Sequence, residues 1–265
     1  MPEPLLIDRA GPVLRLRLNR PQLHNAFDPT LIAALTTALE SAGRDPAVRV
    51  VLLEGDGASF SAGADLGWMR GMASASEAEN HADALALARL MRTLDVLPRP
   101  TIARVHGAAF GGGVGLVACC DIAVGVPGAA FGLTESRLGL LPAVISPYVI
   151  AAIGPRQARR WFATGETFDA ATALRIGLLH EVVDAAQLDA AIDRQISLLL
   201  RAGPVAAASA KQLVGRVAFG DRDPAAVDHG NAALIASLRV SEEGQEGLSA
   251  FLDKRAPAWA IKESP

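Results

Sequence analysis

The sequence predicts an α/β fold with a helical C-terminal region, and three observations carry that expectation. Short apolar runs alternate with helix-length segments over the first 200 residues. The strand-like runs Val50 to Leu53 and Thr101 to Val105 each lead into a loop of small residues. After about residue 200 the pattern is helical only, so the chain divides into an α/β core over 1–200 and a helical region over 201–265.

The elements follow in order. Val13 to Leu18 alternates, with Leu14, Leu16 and Leu18 on one face and Arg15 and Arg17 on the other, and reads as a strand. Asp28-Pro29 opens a helix, the carboxylate capping it and the proline taking its first position; Leu31, Leu35 and Leu39 form its apolar stripe. Val50 to Leu53 reads as a buried strand, and Glu77 to Leu97 as a helix stopped by Pro98. Thr101 to Val105, Ile122 to Val126 and Ala129 to Leu133 are further short strands. Leu138 to Gly154, broken by Pro142 and Pro147, reads as a buried loop and helix rather than a membrane span. From Arg156 onward only helices are expected: one from Asp169 to Gly177, then Leu188 to Leu200, Pro204 to Phe219, Pro224 to Val240, and a last one from Ser241 through Lys254.

The bulk properties describe a globular chain with a sizeable core. Hydrophobic residues make up 51% of the 265, enough to bury a substantial core, and charged residues at 20% are below what a disordered chain would show. A net charge of −3 gives no long-range attraction to nucleic acid or to an anionic membrane. The opening Met-Pro-Glu-Pro lacks a basic start and an apolar run, so the expected location is cytoplasmic. Cys119 and Cys120 are adjacent and read as small buried residues rather than a disulfide. The five histidines are scattered without ligand spacing, so no metal is expected, and no G-x-S-x-G points to a serine hydrolase.

The chemistry is concentrated in Gly107 to Asp121, where Gly111, Gly112 and Gly113 stand between a strand and an apolar helix. Glycines there bring backbone N–H groups close to a ligand, and the first N–H groups of a helix have no partner within it. The site suits a phosphate or a developing oxyanion. Gly113-Val-Gly115-Leu-Val-Ala118 also fits a dinucleotide fingerprint, with Glu135 some twenty residues on as the ribose acid, although such a fingerprint belongs to the first strand–turn–helix unit of a domain. A second small-residue loop, Phe60-Ser-Ala-Gly-Ala-Asp65, follows another strand, and two loops of this kind are a source of two converging donors.

These segments, with Leu18-Asn-Arg-Pro21, Asn25-Ala-Phe27, Phe131 to Pro142 and Glu246 to Pro257, resemble in order the motifs of the crotonase (enoyl-CoA hydratase/isomerase) superfamily, from about residue 5 to 260. The resemblance implies a crotonase spiral fold whose helical C-terminal region builds a homotrimer or a dimer of trimers. It implies an acyl-CoA thioester substrate, no separate cofactor, and an oxyanion hole made by the N–H groups of Ala62 and Gly112. Glu135 then matches a catalytic glutamate, Ala62, Gly63, Ala64 and Asp65 line the CoA site, and Phe251 or Lys254 reaches a neighbouring subunit's CoA. Asp65 reads as a helix cap, Asp121 as structural, and Trp68 and Met69 as core.

Two departures from the family pattern matter. Hydratases of the family carry a second glutamate three residues after the Gly112 position, and this chain has Gly115 there. Where many of them continue Pro-Gly-x-Gly-Gly-Thr-Gln, this chain reads Pro142-Ala-Val-Ile-Ser-Pro147. Phe110 to Leu116, Cys119-Cys120-Asp121 and Pro142 to Pro147 together resemble a bacterial subgroup assigned to hydration of methylglutaconyl-CoA or isohexenylglutaconyl-CoA. The expected activity is therefore hydration of a branched α,β-unsaturated acyl-CoA. An isomerase using Glu135 alone and a non-catalytic acyl-CoA-binding homologue are the alternatives.

Overall fold

Alternating leucines and clustered β-branched residues build a six-stranded sheet at the centre of the molecule. The computed structural model describes residues 3–220 and 223–260. Strands β1 (Leu5–Ala10) and β2 (Val13–Leu18) form a hairpin over Gly11-Pro12, with Gly11 at φ 58° as the turn requires. The sheet continues in parallel through β3 (Val50–Gly55), β5 (Thr101–Val105), β7 (Ile122–Gly125) and β10 (Glu181–Val182), in the order β1-β2-β3-β5-β7-β10. Val50 to Leu53 is buried on both faces, which is why it reads as a continuous apolar run and not as an alternation.

Helix α1 (Pro29–Arg44) packs on β1 and β2 of this sheet, and α3 (Glu77–Asp95) packs on α1. Asp28 caps α1 by accepting from the Leu31 N–H at 2.8 Å, and the Leu31, Leu35 and Leu39 stripe is buried. Ser76 and Glu79 close a capping box at the start of α3. Between them lies α2 (Leu66–Ser74), which buries none of its residues.

A second sheet positions the site. Strands β4 (Ser59–Ser61), β6 (Ala108–Phe110) and β8 (Ala130–Gly132) run parallel, and β9 (Thr167–Asp169) closes the edge antiparallel to β8. From β6 the chain enters α4 (Gly112–Cys119), wholly apolar and mostly buried. Beyond β8 come a 3-10 turn (Thr134–Leu138) and α5 (Ser146–Thr164), kinked where Gly154 leaves helical geometry before Pro155. Helices α6 (Ala170–Ile176) and α7 (Leu188–Arg201) complete the core, and α8 (Pro204–Phe219), α9 (Pro224–Val240) and α10 (Glu242–Leu252) follow. The last five residues of the sequence, within the predicted 201–265 region, lie outside the described residues.

The structure corrects several sequence expectations. Strands β9 and β10 interrupt the stretch read as purely helical after Arg156; at three and two residues they are too short for any periodicity to show. The loop before α5 is not buried, since Leu138, Leu140 and Leu141 are largely exposed. The last helix ends at Leu252 and not at Lys254, whose φ of 53° is left-handed. Trp68 and Met69 are only partly covered; the Trp68 indole packs against the core edge and donates to Asp83 at 3.1 Å. Both cysteine thiols are buried, and burial pushes Cys120 up to about 12.

Candidate active site

Three neighbouring parallel strands, β4, β6 and β8, deliver their C-terminal ends to one edge of the second sheet. The Phe60–Asp65 loop leaves β4, the glycine-led helix α4 leaves β6, and Glu135 leaves β8 on its 3-10 turn. The ends touch. A Cβ on Gly63 would stand 2.8 Å from Phe110 O and 3.6 Å from Gly111 Cα, and one on Gly113 would stand 2.5 Å from Ser61 O. The glycines are therefore required for close packing of two loops. That removes the reason for a dinucleotide reading, because the glycine faces that would have to admit a pyrophosphate already meet protein.

The first loop is pinned from below by the Asn-Ala-Phe segment. His24 and Asn25 take left-handed backbone conformations, and Asn25 is completely buried. Its side chain accepts from the Arg20 N–H at 2.9 Å and donates to Asp56 O and Ser59 O, each at 2.8 Å. Ser61 Oγ donates to Asn25 O at 2.9 Å. Beside it, Phe27 N–H donates to Gly63 O at 2.6 Å and Asp65 N–H to Phe27 O at 2.8 Å. Arg20 pairs with both Asp28 and Asp65, at 3.0 and 3.1 Å. Asp65 caps α2 by accepting from Gly67 and Trp68, and the Trp68 N–H is the largest influence holding its carboxyl below the ordinary range.

The hydrogen bonds of this loop correct the assignment of Ala62 to the oxyanion hole. Ala62 N–H donates to His24 O at 2.8 Å, so it is already spent and is not free to bind a thioester carbonyl. The Gly63 N–H faces Ser61 Oγ at 3.4 Å. Ala64, whose segment bridges to Phe27, keeps its own N–H without a partner among the described residues, and the residue is exposed. The free amide of the loop is that of Ala64, two residues beyond the one that the sequence resemblance implied. Gly112, the first residue of α4, likewise has no acceptor for its N–H among the described residues, while Gly111 N–H is held by Gly132 O at 2.9 Å.

Glu135 stands against Gly111, the residue that precedes the Gly112 amide. Its Oε1 lies 3.0 Å from where a Cβ on Gly111 would be, and its Oε2 is buried with no hydrogen-bond partner among the described residues. Burial raises its pKa above the usual carboxylate range. At Gly115, one turn along α4, the neighbouring space is taken by Ile145 and Met91. Asp121 is structural: it accepts from the Thr101 N–H at 2.8 Å, the Thr101 hydroxyl at 2.9 Å and Lys211 Nζ at 2.9 Å. Phe251 and Lys254 are exposed at the end of α10, which packs on α9, so within one chain they stand apart from this edge. A polar hollow of about 480 Å³ between β2, β3, β5 and α7 holds none of the expected site residues.

Two unspent amides at adjoining strand ends and one desolvated carboxylate make a site that can polarise a carbonyl and move a proton. Comparison with known proteins agrees with that class. The model of the family described as enoyl-CoA hydratase/isomerase matches residues 8–262, and the chain belongs to that family. It is 32% identical over 260 residues to a 2,3-dehydroadipyl-CoA hydratase of Escherichia coli, covering 96% of this chain and 97% of the relative. Among solved structures, an enoyl-CoA hydratase from Shewanella pealeana superposes with a TM-score of 0.93 at 46% identity, covering 97% of this chain and 96% of the other. Pseudomonas aeruginosa AtuE gives 0.93 at 37% identity, over 98% and 100% of the two chains.

Proposed function

We propose that the protein adds water across the double bond of an α,β-unsaturated acyl-CoA thioester, with a branched, methylglutaconyl-like acyl group as substrate. The observation that carries this reading is the placing, at one sheet edge, of the Ala64 and Gly112 N–H groups, unpartnered among the described residues, and the half-buried Glu135 carboxylate beside Gly111. The thioester carbonyl oxygen accepts from both amides. Water oxygen bonds to the β-carbon as the π electrons shift to give an enolate whose charge lies on the thioester carbonyl oxygen, and the proton lost by water passes to Glu135. Glu135 then returns it to the α-carbon on the same face. One C–O and one C–H bond form, the π bond is lost, and neither metal nor redox cofactor is called for. Each amide lost from such a hole costs roughly 10²- to 10³-fold in rate.

In the same reading CoA lies along Gly63, Ala64 and Asp65, and the working form is a homotrimer or a dimer of trimers in the cytoplasm. The exposed Val214, Phe219, Val240 and Leu252 of α8 to α10 support association with further copies of the chain. Phe251 and Lys254 then serve a neighbouring copy's CoA. No described helix is long and apolar enough to cross a membrane.

The experiment is turnover of methylglutaconyl-CoA in isotopically labelled water, with mass analysis of the product. Label in the product hydroxyl, absent with Glu135→Gln, is the expected result. A second reading, isomerisation of a β,γ-enoyl thioester by Glu135 alone, is favoured by the filled space beside Gly115; it predicts a shifted double bond and no label.

A further inference from the structure

The two departures from the family pattern touch each other. A Cβ on Gly115 would stand 3.0 Å from Ile145 Cβ and 3.2 Å from Met91 Cε, and closest of all to Ile145 Cγ2. Ile145 is 3% exposed and Met91 fully buried. Ile145 comes from the Pro142–Pro147 segment, fixed there by a compact turn. Ala143 N–H donates to Leu141 O at 2.8 Å, Ser146 Oγ donates to Ala143 O at 2.8 Å, and Val149 N–H donates to Ile145 O at 3.1 Å. Met91 comes from α3, where Cys119 Sγ lies 3.9 Å from its sulfur. The atoms nearest the 115 position, from Ile145 and Met91, are all apolar. An ionised side chain added there would meet a filled, dry wall and would lose its hydration without gaining a partner.

We propose that Ile145 is a specificity-determining residue of the Glu135 site. Its side chain occupies the volume that an acidic side chain at 115 would need, and this restricts the site to chemistry that one carboxylate can perform. Gly115 and Ile145 then form one coupled feature, and neither can be exchanged alone. Unbranched, neutral enoyl thioesters, whose water would have to be held by two acids, are turned over poorly for this reason. The proposal rests on the hydratase reading for its catalytic half and on packing alone for its coupling half.

The test is a cycle of Gly115→Glu, Ile145→Gly and the double variant, measured by thermal unfolding and by kcat and KM on crotonyl-CoA and methylglutaconyl-CoA. Gly115→Glu alone is expected to unfold at lower temperature and lose activity. The double variant is expected to recover stability beyond the sum of the single effects. It is also expected to hydrate crotonyl-CoA with kcat/KM raised about tenfold or more over wild type, a modest share of what a positioned acid–base group supplies. Its pH–rate profile gains a second carboxyl ionisation, which a merely structural repacking would not add. Gly115→Glu alone as stable and active as wild type would overturn the proposal, as would a folded double variant with no gain on crotonyl-CoA. Should the double variant not fold, Gly115→Ala with and without Ile145→Ala reads the same contact: loss of stability restored by the second change supports it, and no restoration overturns it. Should no variant turn over any thioester, the hydratase reading fails separately, and additive unfolding effects would then overturn the coupling as well.

Discussion

Glu135 lays its Oε1 3.0 Å from the position that a Cβ on Gly111 would take. Gly111 itself has φ 48° and ψ −117°, a conformation that side-chain-bearing residues adopt at a cost of order 1–3 kcal/mol. The glycine thus sets the distance between the acid and the start of α4, where the Gly112 amide lies. Gly111→Ala is expected to lower kcat by roughly 10²-fold through misplacement of the acid and the neighbouring amide. The measurement is kcat and KM on methylglutaconyl-CoA; an unchanged kcat would mean that this contact does not position Glu135.

Glu135 also makes a pH prediction with a definite sign. Burial raises its folded pKa above the unfolded value of about 4.3, and Oε2 has no partner among the described residues when ionised. The stability associated with the protonated form is fully present below the unfolded pKa and is lost as pH rises through the higher folded one. Glu135→Gln should therefore melt at a higher temperature than wild type at about pH 8, with the gap closing toward about pH 4. In the active enzyme the carboxylate accepts the proton of water, so kcat/KM should fall on the acid side at a pH above the ordinary glutamate range. Melting curves across pH and a pH–rate profile check the two statements.

The reassignment from Ala62 to Ala64 can be tested on the backbone itself. Replacing the amide at 64 by an ester, through an α-hydroxy acid, removes one N–H and leaves the side chain intact. It is expected to lower kcat by roughly 10²- to 10³-fold with little change in melting temperature. The same replacement at 62 removes the bond to His24 O and is expected to cost stability, about 1 kcal/mol, more than rate. The opposite pattern would return the donor role to Ala62.

Lys211 of α8 ties the C-terminal helices to the segment after α4, through Asp121 at 2.9 Å, and to the end of α3, through Leu94 O at 3.4 Å. Its side chain is 12% exposed. Lys211→Met leaves Asp121 with only its Thr101 bonds and should cost about 2 kcal/mol in unfolding free energy. Urea titration checks it: the midpoint should fall with the slope unchanged.

Much of this was legible in the chain because local chemistry and the final packing agree. Asp28-Pro29, Asp169 with Gly177, and Ser241 mark helix ends by capping, and each caps in the structure as the residue types dictate. Ala129 to Leu133 reads as a strand and contains β8, but β4 and β6 were harder to read. At three residues each they are defined by pairing with one another and not by their own pattern, and the second sheet that assembles the site was accordingly not expected as a unit. Asn25 shows the same limit. Its motif was visible, but only the fold reveals that its left-handed turn brings the His24 carbonyl against Ala62 and leaves Ala64 as the free amide. The contact between Gly115 and Ile145 joins positions thirty residues apart, and no spacing rule would have paired them.

The most direct measurement follows the absorbance of the conjugated thioester as purified protein is mixed with methylglutaconyl-CoA, with a β,γ-enoyl-CoA and Glu135→Gln run in parallel. A one-acid hydratase predicts that conjugation is lost from methylglutaconyl-CoA with the wild type and that Glu135→Gln abolishes the change. Conjugation gained from the β,γ-enoyl-CoA, with none lost from methylglutaconyl-CoA, would contradict the account and make the protein an isomerase.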